Sequence, residues 1–455
     1  MALIDISAEA RTVVQDAALS PDLAQRPFRP IQYLGNKLRA FPAILDVASS
    51  LIGRTGQIAD LFTGTTIVAQ AFARSGYKVS SVDTQKYAVL FARAMLGVGR
   101  RSGEFCSFDV LSRAGVTVPC ERWEISWEPW VAREREALDV DDPRGLLALT
   151  ADLPLIWREA GDPSRIHISS GENRPAFGEL PLLAAIYAGT YFGVLQALTL
   201  DRYRQNAELA LSDGRISVWQ YCATLTAIMS AASAAAHSAG KHFAQPMNAG
   251  AQLNQAFLSR RLLQDRRVSV EKEFQKACDA INGHAAPSGG SHTAWHGPAE
   301  SFVANAEPAD LYYLDPPYTA QQYSRFYHVL ETLSTYQYPQ LLDNGALTTG
   351  LYPKERYKSA FSSKRKSPAA FQSIVKDART HNAALVISYS ESAAQSVGNA
   401  RMISLRQLLA LCSAQYGAAN VEWHQLSHRY RQFNSAFASN AYRDDSEILI
   451  TCKPR

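Results

Sequence analysis

The sequence predicts a doubly wound α/β sheet joined to a long, mostly helical segment. Three observations carry that expectation. First, the apolar run 57–62 ends in Thr63-Gly64 and is followed by Ile67, Ala71 and Phe72 at helical spacing. Second, residues 78–83 read as another strand, ending in Asp83, and residues 86–96 as another helix. Strand, turn, helix, strand and helix in that order open such a sheet. Third, strand-like runs are scarce between about 111 and 300 and return at 310–315, 384–389, 421–426 and 447–452.

The elements divide the chain as follows. Residues 1–24 form an N-terminal extension; Asp5, Glu9, Arg11 and Asp16 break up its apolar residues, which excludes a secretory signal. Pro21, Pro27 and Pro30 give an extended entry. Residues 25–110 hold the first part of the sheet. Residues 111–300 form a helical insertion, with long helices expected over 182–200 and 218–239 and a Gly/Ser/His-rich loop over 283–297. Residues 301–455 complete the sheet. The stretch 180–200 carries no charge and has the length of a membrane span. Its Pro181, two glycines and polar residues favour a buried helix, so no membrane association is expected.

The composition fits a globular protein with a substantial core, at 47% hydrophobic and 19% charged residues. The net charge of +4 is small for a dedicated electrostatic nucleic-acid binder, so any such contact must come from local patches. Cys106, Cys120, Cys222, Cys278, Cys412 and Cys452 form no CxxC pair and no zinc-ligand pattern. They read as reduced thiols in a cytoplasmic protein. His284, His292 and His296 lie among Gly and Pro residues that oppose a shared helix face, and no metal is expected.

Two constellations carry chemistry. Asp60, Phe62 and Gly64 close the first strand, and Asp83 closes the second, 19 residues after Gly64. A Gly after a strand lets the backbone approach a nucleotide-like ligand, and an acid about 20 residues on can accept from ribose hydroxyls. The second constellation is Asp315-Pro316-Pro317-Tyr318 after a strand. Two prolines stiffen the backbone and remove N–H donors. The Asp315 carboxylate and the Pro316 carbonyl can then accept both hydrogens of an exocyclic amino group. Tyr318 can stack on an extruded base.

Together these motifs resemble the adenine-N6 DNA methyltransferases of the Dam and type II restriction–modification kind. Four further stretches share the resemblance: Gln32-Tyr33-Leu34-Gly35-Asn36-Lys37, residues 322–333, residues 385–390, and residues 187–192 with Lys241-His242-Phe243. The resemblance spans most of residues 30–450, and it implies a Rossmann-like methyltransferase sheet and S-adenosylmethionine as cofactor. It places Tyr33, Gly35, Asn36, Lys37, Asp60, Phe62, Gly64, Asp83 and Asp109 at the cofactor. It makes Asp315, Pro316, Pro317 and Tyr318 catalytic, with double-stranded DNA as substrate and residues 111–300 as the target-recognition region. It also implies a cognate restriction endonuclease or defence-system component as partner. Asp315, rather than Ser or Asn, leans towards adenine. Thr66 stands where the family usually has a second glycine, so its side chain would narrow the cofactor pocket or add a contact.

Basic residues supply candidate phosphate contacts. Lys354, Arg356, Lys358, Lys364, Arg365 and Lys366 cluster after the catalytic motif, with Tyr357 and Phe361 among them. Arg429 and Arg431 form a second group, and Lys241 and His242 a third by resemblance alone. The residues also fit an RNA or protein amino-group methyltransferase, an N4-cytosine enzyme and a non-catalytic DNA-binding relative.

Overall fold

The computed structural model describes residues 26–35, 37–107, 118–157, 181–247, 255–287, 290–343, 346–348, 350–390, 400–426, 430–431, 442–443 and 447–454. Seven strands among them form one sheet: β1 (Gln57–Asp60), β2 (Lys78–Asp83), β3 (Thr293–His296), β4 (Leu311–Leu314), β5 (Ala384–Ser390), β6 (Val421–Leu426) and β7 (Glu447–Cys452). Their order is β3-β2-β1-β4-β5-β7-β6. The first five are parallel, while β7 runs antiparallel between β5 and β6. The order reverses between β1 and β4, and open α/β sheets bind ligands in the crevice beyond the strand ends at such a point.

Side-chain alternation explains why the sheet is covered on both faces. Ile58, Leu311, Tyr313, Ala384 and Val386 point to one side, where they join Phe41, Ile44 and Phe72. These last three come from α1 (Phe41–Ile52) and α2 (Ile67–Arg74). Ala59, Tyr312, Leu314, Leu385 and Ile387 point to the other side, where they meet Phe371 and Ile374. The second layer includes α14 (Ser367–Thr380) and α15 (Leu405–Tyr416). Of the helices that precede α14 in the chain, α11 (Ala299–Asn305) also joins this layer through Phe302 and Val303. A period of two across a strand with apolar residues on both faces is the pattern of a buried central sheet.

After α3 (Lys86–Met95) the chain forms α4 (Val118–Asp139), α5 (Pro143–Asp152), α6 (Leu182–Tyr187), α7 (Val194–Ser212), α8 (Val218–Ala235), α9 (Gln255–Arg266) and α10 (Val270–His284) before reaching β3. All of these helices but α9 share one core with α3, while Leu262 of α9 packs with Ala137 and Leu146 in a separate small cluster. Tyr87 and Phe91 are buried with Tyr187, Phe192, Trp219 and Phe274. Trp219 also donates its indole N–H to the Ala94 carbonyl at 3.0 Å. Replacing this buried tryptophan by alanine would cost about 3–5 kcal/mol.

Buried or half-buried carboxylates start several helices. Glu134 accepts from the Val194 and Leu195 amides at 2.9 and 3.0 Å. Asp201 accepts from Leu183 and Ala184, both at 2.9 Å. Glu331 accepts from Lys86 and Tyr87 at 3.1 and 3.3 Å. Each satisfies amides that the first helical turn leaves without partners and meets the positive end of the helix dipole.

Two expectations are corrected. Residues 182–200 form two helices, because the chain breaks at Gly189, which has φ 72°. A Cβ there would lie 2.8 Å from Leu153 and Thr150, so the close approach admits only glycine. The expected loop over 283–297 contains β3, an edge strand beside β2. The short strand alternates poorly with water on one side, and its only regular signal is four residues long. No helix among the described residues is long and apolar enough to cross a membrane.

Candidate active site

The first strand delivers Asp60 at its end, and the turn after it is fixed by the neighbouring strands. The Leu61 amide donates to the Tyr313 carbonyl at 3.0 Å, and the Thr63 amide to Val82 at 3.1 Å. Gly64 then adopts φ 48°, and an added Cβ would press on the Tyr33 ring at 3.1 Å. The Gly64 amide donates to Asp83 Oδ2 at 3.0 Å, and the Gln85 amide to Oδ1 at 2.9 Å. Burial pushes the Asp83 carboxyl up to about 6, against the pull of those amides.

Asp60 is buried, and among the described residues its Oδ1 has no hydrogen-bond partner. Burial pushes its carboxyl up to about 7, opposed by hydrogen bonds from Thr63 and Phe62. An acceptor left without a partner at the wall of a pocket is a ready site for a ligand ammonium group.

Tyr33, Leu34 and Lys37 are clamped by the segment after β4. The Tyr33 ring stacks on Tyr327 with centroids 4.6 Å apart and an interplanar angle of 15°. The Tyr327 hydroxyl accepts from the Leu34 amide at 2.8 Å. The Tyr323 hydroxyl donates to the Leu34 carbonyl at 3.4 Å. Tyr323 lies on α12 (Tyr323–Phe326), and Tyr327 precedes α13 (His328–Thr335). Two stretches far apart in sequence therefore form one wall.

At the end of β4, Asp315 meets Lys37. The Lys37 ammonium lies 3.0 Å from Asp315 Oδ1 and 2.8 Å from Glu447 Oε1. Burial alone would favour the neutral amine. Asp315 and Glu447, with Tyr318 and Tyr313, outweigh it and hold the Lys37 pKa well above the usual lysine value. The Tyr318 hydroxyl also donates to Asp315 Oδ1. Burial and the Asp315 charge keep that phenol protonated. Among the described residues Oδ2 of Asp315 takes no hydrogen bond, so it is the oxygen open to a new donor. The Tyr318 ring packs edge-on against Tyr389 at 5.6 Å, and its carbonyl accepts from the Met402 amide at 3.0 Å.

These groups line one cleft with an empty volume of about 820 Å³, walled by Tyr33, Lys37, Phe62, Asp83, Asp315 and Tyr318 among others. A smaller adjoining recess of about 310 Å³ is lined by Asp60, Gly64 and Thr65 and shares Tyr33, Gly35, Lys37, Phe62 and Asp315 with the cleft. Pro316 and Pro317 line the cleft as well. Asn36 and Asp109 lie outside the described residues. The outer sheet neighbour of β2 is β3, and just beyond it Ala299 and Glu300 line the cleft. Burial raises the Glu300 carboxyl above its usual range.

Thr66 is buried with φ 65° and walls neither the cleft nor the recess. Its hydroxyl donates to the Thr65 carbonyl at 2.6 Å and accepts from Gln70 Nε2 at 2.9 Å. Gln70 in turn holds the Phe28 carbonyl and amide at 2.8 and 3.0 Å. The side chain therefore ties the turn to the entry segment.

The basic segment divides. Lys354, Lys358, Lys364, Arg365 and Lys366 are exposed, and Arg356 packs over the Tyr352 ring at 4.6 Å. The segment is tied to the cleft wall. The Ser359 amide donates to Gln322 at 2.9 Å, and the Ser324 hydroxyl to the Tyr357 carbonyl at 2.6 Å. Tyr357 and Ser359 reach the cleft itself.

Lys241 and His242 do not join this surface. The Lys241 ammonium donates to the carbonyls of Ala234 and Ala236 and to Asp265, at 2.9, 2.8 and 2.7 Å. These three acceptors use all of its donors. Burial lowers the His242 pKa to about 4, so it is neutral at pH 7. Neither has a charge to offer a phosphate. Arg429 lies outside the described residues, and Arg431 pairs with Tyr442 in a two-strand ribbon.

Glu447 was not singled out from the sequence. Its signal was an acid heading a strand, Ile448 to Cys452, that is apolar but for Thr451.

Residues 33–105 and 291–386 match the family model described as D12 class N6 adenine-specific DNA methyltransferase. These two segments belong to that family. The D12 segments carry β1 to β4, most of the cleft and the Asp315 turn, while the helices between them fall outside the match. Among curated proteins, the type II methyltransferase M.FokI of Planomicrobium okeanokoites is 36% identical over 81 residues, covering 18% of this chain and 12% of the relative. The modification methylase LlaI of Lactococcus lactis subsp. lactis is 30% identical over 149 residues, 32% of this chain and 21% of the relative. The type II methyltransferase M.NlaIII of Neisseria lactamica is 31% identical over 112 residues, 25% of this chain and 31% of the relative. The matches therefore span about a third or less of each relative's length.

Proposed function

We propose that the protein is a site-specific DNA methyltransferase that methylates N6 of an adenine turned out of duplex DNA, with S-adenosylmethionine as donor. The observation that carries the reading is the meeting of the Asp315-Pro316-Pro317-Tyr318 turn with Tyr33, Lys37 and Asp83 around one cleft at the sheet's switch point. The family of the two D12 segments and the type II relatives support adenine in DNA as the target.

The residues fit the cofactor. Asp60 offers a buried acceptor that has no partner among the described residues, suited to the methionine ammonium. Asp83 presents a carboxylate oriented by two amides, suited to ribose hydroxyls. Bound there, the cofactor would supply an electrophilic methyl group: the amino nitrogen's lone pair forms the N–C bond, the C–S pair returns to sulfur, and a proton leaves the nitrogen for water. The chain's part is orientation and electrostatics. Asp315 Oδ2 and the Pro316 carbonyl accept the two amino hydrogens and localise the lone pair on nitrogen. Tyr318 supplies a ring for the extruded base, and the exposed basic residues after it face the backbone phosphates. A partner endonuclease or defence component would follow the pattern of the type II relatives.

The test is incubation of plasmid DNA with the protein and isotopically labelled S-adenosylmethionine, followed by digestion to nucleosides. Label in N6-methyladenine, absent with Asp315→Ala, is the expected result. Label in cytosine, or none in DNA despite cofactor binding, would overturn it.

A further inference from the structure

Beyond the two sequence motifs, one buried acid stands in the site with no part in the reaction as described. Glu447 heads β7, opposite Ser390 on β5 and Leu426 on β6. Because β7 is antiparallel to its neighbours, its first residue lies at the same edge as the carboxyl ends of the parallel strands. That topology carries an acid from the last described strand to the Lys37 ammonium beside Asp315. Glu447 is only 1% exposed, and its carboxylate reaches the Lys37 ammonium at 2.8 Å, closer than Asp315 at 3.0 Å.

We infer that Glu447 is a positioning residue for methyl transfer, which neutralises Lys37 so that the Asp315 charge is kept for the amino nitrogen. The inference rests on the function proposed above. In that reaction one positive charge moves onto the nitrogen held by Asp315. A buried ammonium 3.0 Å from the same carboxylate opposes this arrival, and in a buried site such a charge is felt strongly. A second carboxylate on Lys37, at 2.8 Å, cancels it. With Lys37 and Glu447 paired, the reacting nitrogen and Asp315 form a second balanced pair. Without Glu447, Lys37 has Asp315 as its one carboxylate partner among the described residues and competes with substrate for it. Glu447 touches neither base nor cofactor in this arrangement, and acts through Lys37.

The test is a double-mutant cycle of Glu447→Gln with Lys37→Met, read as kcat on DNA and as the dissociation constant for S-adenosylmethionine. Glu447→Gln alone is expected to lower kcat by about tenfold or more with cofactor affinity changed less than about threefold. In the Lys37→Met background the same substitution is expected to change kcat by less than about threefold. Where Gln at this position prevents folding, Glu447→Asp, which withdraws the charge by one methylene, is compared in the same two backgrounds with the same expectation. An equal loss in both backgrounds would mark a purely structural role and overturn the inference, as would an unchanged kcat. Wild-type protein that methylates no DNA would overturn the proposed function and the inference with it, and is distinguished by the wild-type assay alone.

Discussion

The Gly64 amide donates to Asp83 at 3.0 Å, so the turn after the first strand and the acid closing the second are one hydrogen-bonded unit. The Gln85 amide holds the other carboxylate oxygen at 2.9 Å. The carboxylate is thus oriented before any ligand arrives, and its remaining lone pairs face the cleft. Orientation in advance removes part of the entropy cost of binding.

Asp83→Asn should therefore harm more than its charge change suggests. An amide has one oxygen, so either the Gly64 or the Gln85 N–H must face an NH2 group. Leaving one buried donor without a partner costs about 1–3 kcal/mol. Titration calorimetry should show S-adenosylmethionine affinity reduced at least about tenfold, with a lower melting temperature. Unchanged affinity would remove Asp83 from the cofactor site.

Asp60 predicts opposite pH trends for stability and binding. Its carboxyl is raised from 3.8 in the unfolded chain to about 7 in the fold, by burial first. The folded protein then holds a proton that the unfolded chain has released. This contribution to stability is complete below about pH 4 and is lost as pH rises through about 7. Asp83, raised to about 6, acts in the same direction. The ionised form of Asp60, however, is the one that pairs with a ligand ammonium. Ligand-free protein should melt at lower temperature at pH 8 than at pH 5, while cofactor affinity rises between about pH 6 and 7.5. Asp60→Asn should flatten the affinity trend. An affinity that stays constant across that range in the wild type would show that Asp60 does not meet the cofactor.

Thr66 separates strain from binding. A threonine in the left-handed region carries a cost of about 1–2 kcal/mol, which glycine would relieve. Thr66→Gly would also remove the acceptor of Gln70, whose 2.9 Å bond joins the turn to the segment holding Phe28. The two effects oppose each other, so the melting temperature should move little. Because the side chain walls neither the cleft nor the recess, the cofactor dissociation constant should change less than about twofold. A tenfold change would place the hydroxyl in the pocket.

Local sequence made much of this site legible, and the limits were physical. Asp60, Gly64, Asp83 and the Asp315 turn were readable because strand ends and tight turns leave short-range signals in residue type. The stack of Tyr33 on Tyr327 was not, since it joins residues brought together only by the closed sheet. Glu447 was hidden for the same reason, because its partner Lys37 lies at the other end of the chain. The edge strand Thr293–His296 was missed because it is short and its neighbours are Gly, Ser and Pro. Lys241 entered as a phosphate contact by resemblance alone, and only the fold reveals its three internal acceptors.

That contrast gives the last prediction, which sorts basic residues by what they do. Lys358, Lys364, Arg365 and Lys366 are exposed beside the cleft, in a segment anchored to Gln322 and Ser324. A side chain that contacts a phosphate releases a counterion, so its loss lowers the slope of log affinity against log salt by about 1. Replacing these four by alanine should weaken DNA binding regardless of sequence and reduce that slope in steps. Lys241 should behave otherwise. Asp265 receives its ammonium at 2.7 Å together with His237 and Arg261, both at 2.9 Å. Lys241→Met removes one charged hydrogen bond from this buried cluster and should cost about 1–3 kcal/mol of stability. It should leave the salt slope of the folded protein unchanged. DNA binding measured at several salt concentrations, alongside thermal melts, checks both halves. A reduced slope for Lys241→Met would bring that ammonium back to the DNA, and an unchanged slope for the fourfold variant would take the basic rim away from it.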